Sequence, residues 1–149
     1  MLKYLGGALF VAAGWLLGNS IQSVYSDRIA LLERFRDFVR YCESEINYYK
    51  TAMDDIIDKF TDKNNKYDAI LFDSYNKNLL VSKETAETIK GYFIGIKTLD
   101  SESQKGFFSE TLMKTDRLIE NAKRDFNVKG KMLKKLAPIA AIGIFILTL

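Results

Sequence analysis

Histidine is absent from the 149-residue chain, and cysteine and proline occur once each. Without histidine the chain cannot build a Ser–His–Asp or Cys–His nucleophile system, nor a zinc site that uses imidazole. A single cysteine excludes an internal disulfide and a cysteine-rich metal site. No glycine-rich loop of the kind that cradles phosphates is present. We therefore predict a protein that is not an enzyme, with no catalytic residue, cofactor or metal ion of its own.

Charge is missing from two apolar stretches at the ends of the chain. Residues 4–26 are 23 consecutive residues without a charged side chain, and residues 136–149 form a second run of 14. A helix of about 20 residues crosses the hydrocarbon core of a bilayer. We therefore predict a transmembrane helix in residues 1–26 and a shorter one at the end of residues 129–149. A cleaved signal peptide is the less favoured alternative for the first run, because Lys3 is its only positive charge.

The net charge of +3 is unevenly distributed. Residues 27–128 hold all 19 acidic and 17 basic residues, so this central part is slightly acidic. Four lysines follow it directly, at Lys129, Lys131, Lys134 and Lys135. Lysines beside an apolar run favour anionic lipid and a cytoplasmic location. We expect lipid contact or control of topology here, no nucleic acid as a partner, and both termini on the other side of the membrane.

Between the apolar ends, hydrophobic residues recur every three or four positions, which is typical of amphipathic helices. The first such stripe runs from Ile29 to Tyr49 and follows the first apolar run without a break. Thr51, Ser82 and Ser101 are candidate helix N-caps, the last forming a capping box with Gln104. The pattern predicts an all-α protein in which residues 27–128 form a small cytoplasmic helical bundle.

Small residues mark one face of each apolar run. Gly14 and Gly18 form a Gly-x-x-x-Gly pair with Gly7 on nearly the same face, and Gly143 belongs to a small face of the second run. Small side chains let membrane helices approach closely. Two interpretations stay open: packing between the two helices of one chain, and packing on other membrane subunits.

Two further patterns have plain structural interpretations. Asp54, Asp58 and Asp62 share one helix face, but nothing nearby supplies the converging oxygens of a cation site, so a solvated face is favoured. Cys42 falls on an apolar stripe and is expected to be a buried thiol that acts as a small hydrophobic side chain.

The order of these features resembles the stage III sporulation protein AB family. The resemblance is carried by Ala13-Gly14-Trp15-Leu16-Leu17-Gly18, by Glu43-x-Glu45-Ile46-x-Tyr48, and by the stretch from Ile94-Gly95 to Gln104. Asp100 stands where that stretch of the family has a second glycine. The family resembles a cytoplasmic domain of the type II secretion platform protein, the F subunit, held between two terminal membrane helices.

The resemblance implies a non-enzymatic scaffold of the sporulation channel complex between mother cell and forespore. It implies a location in the mother-cell membrane that faces the forespore. The implied partners are a secretion-type ATPase, stage III sporulation protein AA, and other stage III membrane proteins of the channel. The alternatives from other classes are a small membrane transport or pore subunit and a lipid-surface adaptor.

Overall fold

A computed structural model describes residues 2–62, 64–72, 82–98 and 101–147, and within these ranges it contains helices and turns but no strand. The predicted all-α class is therefore confirmed. Six α-helices follow one another: α1 Leu2–Ser44, α2 Met53–Phe60, α3 Lys66–Phe72, α4 Lys83–Gly95, α5 Ser101–Asp125 and α6 Lys131–Leu147. Residues 75 and 79, predicted to belong to the third helix, lie outside the described residues, as does the predicted break at Asp100.

The first helix is one continuous element of 43 residues, as expected from the unbroken apolar pattern. It ends in a π-helical turn, Glu45–Tyr49, whose wider spacing adds a residue to the last turn. Lys50 then adopts the left-handed conformation, with φ 51°, and its backbone N–H donates to the carbonyl of Glu45. A left-handed residue commonly ends a helix, although the position usually holds glycine. The chain therefore changes direction at Lys50.

The structure divides into two compact units, Met1–Asp27 with Ala122–Leu149, and Arg28–Asn121. The core of the second unit is aromatic and centres on Phe38. Its ring lies 5.0 Å from Phe72 and 5.2 Å from Phe60, both edge-on, and 5.7 Å from Phe93. Edge-to-face pairs of this kind add to the free energy gained from burial. The apolar stripe predicted on α1 is buried here: Leu32, Phe35, Phe38, Val39 and Cys42 are inaccessible to solvent.

Helix starts in this unit follow local capping chemistry. Ser82 is the N-cap of α4, where its Oγ accepts a hydrogen bond of 3.3 Å from the backbone N–H of Thr85. At α2 the structure corrects the sequence prediction, because the N-cap is Ala52 rather than Thr51. The Thr51 hydroxyl donates to the carboxylate of Glu45 at 2.8 Å, a charge-assisted hydrogen bond that directs this side chain back toward the end of α1. Ser101 is the first residue of α5, and its side chain lies outside the described residues.

The last two helices are separated by a second π-helical turn, Phe126–Gly130. Gly130 is buried, and a Cβ there would lie 3.5 Å from both the Phe126 ring and the Tyr25 ring. Pro138 lies inside α6, where it removes one backbone donor from the helix. Across the described ranges, none of the helices combines the length and apolar character that crossing a membrane requires.

Candidate functional site

The sequence-predicted glycines of α1 lie against α6 of the same chain. A Cβ added at Gly14 would come within 2.8 Å of the Ala141 Cβ and 3.0 Å of the Ala137 carbonyl oxygen. Real Cβ atoms do not tolerate the shorter of these distances, so a larger residue requires the helices to separate. Gly14 is thus a glycine because two helix backbones approach each other there.

One helical turn further on, Gly18 makes the second close approach. A Cβ at this position would lie 3.2 Å from the Cα and carbonyl oxygen of Lys134 and 3.3 Å from the Ala137 Cβ. Ala137 therefore lies in the groove that Gly14 and Gly18 form together. We call this contact the glycine face, defined by Gly14 and Gly18 on α1 with Lys134, Ala137 and Ala141 on α6. It corresponds to the interpretation in which the two helices of one chain pack on each other.

The other two predicted glycines have different surroundings. Gly7 is buried, whereas Gly143 is exposed and a Cβ there would meet no atom within 4 Å. Gly143 is therefore not part of the packed contact within the chain. Gly6 is open in the same way. At Gly6 and Gly143, therefore, an added side chain would not meet another helix.

Large apolar side chains point away from the glycine face into the surroundings. On α1, Trp15 is 57% exposed and Leu17 63%, and on α6, Ile139 is 61% and Ile146 64% exposed. Singly exposed apolar residues are ordinary, but many large ones on two helices that pack on each other are typical of an interaction surface. The terminal unit therefore buries the small residues of the glycine face and exposes large apolar side chains.

The four predicted lysines do not form one uniform cluster. Lys129 pairs with Asp125 at 3.2 Å, four residues earlier, and Lys131 lies over the Phe126 ring at 5.8 Å. Lys135 is exposed, whereas Lys134 is half-buried and supplies backbone atoms to the glycine face. Two arginines that follow the first apolar run are also engaged, because Arg34 pairs with Asp68 and Arg36 lies 3.5 Å from Asp116.

A buried ion pair organises the loop between α2 and α3. Arg34 Nε and Nη2 donate to the two carboxylate oxygens of Asp68 at 2.6 and 2.7 Å, and Nη2 also reaches the Phe60 carbonyl at 3.1 Å. The backbone N–H of Asp62 donates to the same carboxylate at 2.8 Å. The guanidinium carbon lies over the Phe60 ring, 3.9 Å from its centre. Planar, five-donor arginine can make all of these contacts at once, whereas lysine cannot.

Electrostatics agree with this geometry. Burial alone would raise the pKa of Asp68, but the hydrogen bonds from Arg34 and the Asp62 N–H, with the arginine charge, hold the pKa below its usual value. Sequence reasoning missed this pair, because the two residues are 34 positions apart and each lies among other charges. An Asp next to the apolar stripe of a short helix was the only available signal.

The single cysteine is inert by environment. Cys42 is fully buried, and burial raises the pKa of its thiol to about 12. Burial also raises the pKa of the neighbouring Tyr92, whose ring packs edge-on against Phe35 at 5.6 Å. A thiol that stays protonated at neutral pH is a poor nucleophile. The contacts of Cys42 are those of a small hydrophobic side chain.

Gly95 permits a close aromatic contact that the sequence pattern did not predict. A Cβ there would lie 2.5 Å from the Phe107 ring. That ring stacks on Tyr92, with the centres 5.8 Å apart and the planes inclined by 6°. Gly95 therefore lets α5 place an aromatic ring directly on the end of α4.

Comparison with known proteins shows to which family the chain belongs. The model of the family described as stage III sporulation protein AB matches residues 3–89, more than half of the chain. The chain belongs to this family. It is therefore a sporulation-related protein, and the resemblance found from its sequence is confirmed. The matched range of this family member includes Gly14, Gly18, Arg34 and Asp68. No curated protein and no solved structure matches the chain.

Proposed function

We propose that this family member is a non-enzymatic membrane scaffold of the sporulation channel complex between mother cell and forespore. Its central helical domain docks a cytoplasmic secretion-type ATPase, and its terminal helices anchor it in the mother-cell membrane. The observation that carries the proposal is the terminal unit, in which two helices pack through small residues and expose large apolar ones.

The membrane part rests on sequence and surface together. Residues 4–26 carry no charge, and exposed Trp15, Leu16 and Leu17 give this helix an apolar exterior. α6 has 17 residues, fewer than a typical span, and begins with a lysine-rich turn whose long side chains can reach the interface. The apolar start of α1 and the shorter α6, held together at the glycine face, would enter a bilayer as one hairpin.

The proposed scaffold role rests on the features of the central domain. Its core is aromatic, its thiol is buried, and the ion pair between Arg34 and Asp68 closes a loop rather than opening into a cleft. Such a domain offers helix surfaces for a partner and leaves the chemistry to that partner. Movement of an attached ATPase would then reach the membrane through α1, which is continuous between the two units.

Membrane insertion is tested by extraction of membranes with alkaline carbonate from cells that express the full chain. We expect the protein to stay in the membrane pellet and to be released by detergent only. Release by carbonate would contradict a spanning hairpin and would favour the lipid-surface adaptor.

Docking is tested by purifying the tagged full chain in mild detergent from sporulating cells. The expected result is co-purification of a secretion-type ATPase together with other stage III membrane proteins. A Lys90→Ala variant, changed at an exposed position of α4, serves as a control for tag and detergent effects. Repeated recovery of the membrane proteins without the ATPase would contradict the docking role.

A further inference from the structure

A groove of about 680 Å³ lies between the turn after α1 and the junction of α4 with α5. Its walls include three apolar residues, Ile46, Met53 and Ile96, and three lysines, Lys50, Lys97 and Lys105. The groove belongs to the central unit and is separate from the glycine face and from the Arg34–Asp68 pair.

Three lysines and no carboxylate are among the described residues that line the groove. All three are exposed, and none forms an ion pair within the part of the chain that the structure describes. The nearby acid Glu45 is already engaged, because its carboxylate accepts from the Thr51 hydroxyl at 2.8 Å and lies 3.7 Å from Lys59. Three like charges around one cavity repel one another, so an anionic occupant is favoured over an empty groove.

The apolar residues that line the groove restrict which kind of anionic molecule can bind there. Ile46 and Met53 are partly buried against the aromatic core, and Ile96 is 5% exposed. A free phosphate or a single carboxylate would leave this apolar wall unused. A protein segment that carries two or more carboxylates and one apolar side chain would fill the cavity and match its charges.

Adjacent residues suit a docking surface. Tyr48 is 81% exposed and Tyr49 73%, on the π-helical turn that immediately precedes Lys50. Tyrosine is among the residues that contribute most to binding at protein interfaces. π-Helical turns are frequently retained at functional sites, and Lys50 holds an uncommon left-handed backbone at this point.

We propose that this lysine-lined groove docks an acidic, apolar-anchored segment of the partner protein. The inference rests on the proposed docking of a secretion-type ATPase and names the face that receives it. Lys50, Lys97 and Lys105 attract the carboxylates, and Met53 and Ile96 contact the apolar anchor. Tyr48 and Tyr49 extend the contact beyond the cavity.

The test uses the full chain in detergent with the co-expressed secretion-type ATPase of the same organism. Lys97→Glu and Lys105→Glu are combined in one variant, and Lys90→Glu with Lys114→Glu is the matched control. The control changes exposed lysines of α4 and α5 outside the groove and reverses the same charge. We expect the groove variant to bind the ATPase about tenfold more weakly at 100 mM salt, while the control binds as the parent chain does.

The outcomes separate the groove from the proposed function. Equal loss in both double variants would show a general charge effect and overturn the groove assignment. If the parent chain and the groove variant bind the ATPase equally, the groove assignment is overturned, and the proposed docking of the ATPase is unaffected. If the parent chain does not bind the ATPase, both the groove assignment and the proposed docking role are overturned.

Vesicles that contain phosphatidylglycerol supply a second readout. The proposal expects both double variants to bind these vesicles equally. Selective loss of vesicle binding in the groove variant, with unchanged ATPase binding, would assign the groove to lipid instead. Equal thermal unfolding of the two double variants in the same detergent is the required check that the folds are comparable.

Discussion

Arg34 on α1 and Asp68 on α3 are joined by two hydrogen bonds of 2.6 and 2.7 Å, so a single ion pair ties the short helices to the long one. Asp68 is 1% exposed and also accepts from the Asp62 backbone. Removal of Arg34 would leave the buried Asp68 carboxylate without its charged partner. The pair therefore matters through the loop that it holds rather than through its charge alone.

Asp68→Asn should lower the free energy of unfolding by roughly 2 kcal/mol at pH 7, because the charge-assisted hydrogen bonds from Arg34 are weakened while this guanidinium, 24% exposed, keeps part of its hydration. Urea unfolding followed by circular dichroism measures the change. Asp58→Asn is the control, since Asp58 is exposed on α2, and it should stay within about 0.5 kcal/mol of the parent chain. Equal effects of the two substitutions would contradict a structural role for the pair.

The same pair predicts acid sensitivity. The pKa of Asp68 is lower in the folded chain than its ordinary value of 3.8, so the folded state holds this proton less readily than the unfolded state. The stability from the carboxylate is therefore present above pH 3.8 and is lost as the pH falls through the lowered pKa. Stability measured from pH 6 to pH 2 should fall more steeply in the parent chain than in Asp68→Asn. Parallel curves would show that Asp68 does not titrate as described.

The sequence predicted the helices well where periodicity alone decides them. The stripe from Leu32 to Cys42 is buried as expected, because a 3.6-residue repeat places those side chains on one face. The prediction was wrong at Thr51, because α2 has Ala52 as its N-cap and the Thr51 hydroxyl donates to the Glu45 carboxylate. A local rule for capping cannot include an acceptor that a π-helical turn brings close.

Long-range relationships were not accessible from the sequence. The pairing of Arg34 with Asp68 depends on how α3 returns to α1, which no local pattern encodes. The sequence indicated that Gly14 and Gly18 form a packing face, but it did not show whether the helix that packs on them belongs to the same chain or to another. The structure pairs them with Ala137 and Ala141, which are themselves small residues on a regular helical repeat.

Cys42 should resist thiol reagents in the folded chain. Because it is fully buried and its pKa is raised to about 12, the reactive thiolate is scarce and inaccessible at pH 8. We expect no reaction with a chromogenic disulfide reagent until denaturant is added, then one thiol per chain. Stoichiometric reaction without denaturant would contradict the described core.

Gly95→Ala should destabilise the central domain although alanine is the better helix former. The added Cβ would meet the Phe107 ring at 2.5 Å and displace it from its stack on Tyr92. We expect a net loss of about 1 kcal/mol, as the overpacking exceeds the gain in helix propensity. Gly91→Ala is the matched control, because a Cβ at Gly91 meets nothing within 4 Å, and it should leave stability unchanged or higher. A more stable Gly95→Ala chain would contradict the observed stacking.

The glycine face predicts a specific disulfide within one chain. A Cβ at Gly18 lies 3.3 Å from the Ala137 Cβ, close to the separation of bridged cysteines. Gly18→Cys with Ala137→Cys, in a Cys42→Ala background, should therefore oxidise readily under mild conditions. Because the bond joins α1 to α6 of one molecule, the product should migrate as a compact monomer in non-reducing gels. Gly6→Cys with Ala137→Cys should remain reduced, since no atom lies within 4 Å of a Cβ at Gly6. Disulfide-linked dimers as the main product of the Gly18 pair would show instead that this face packs against a second chain.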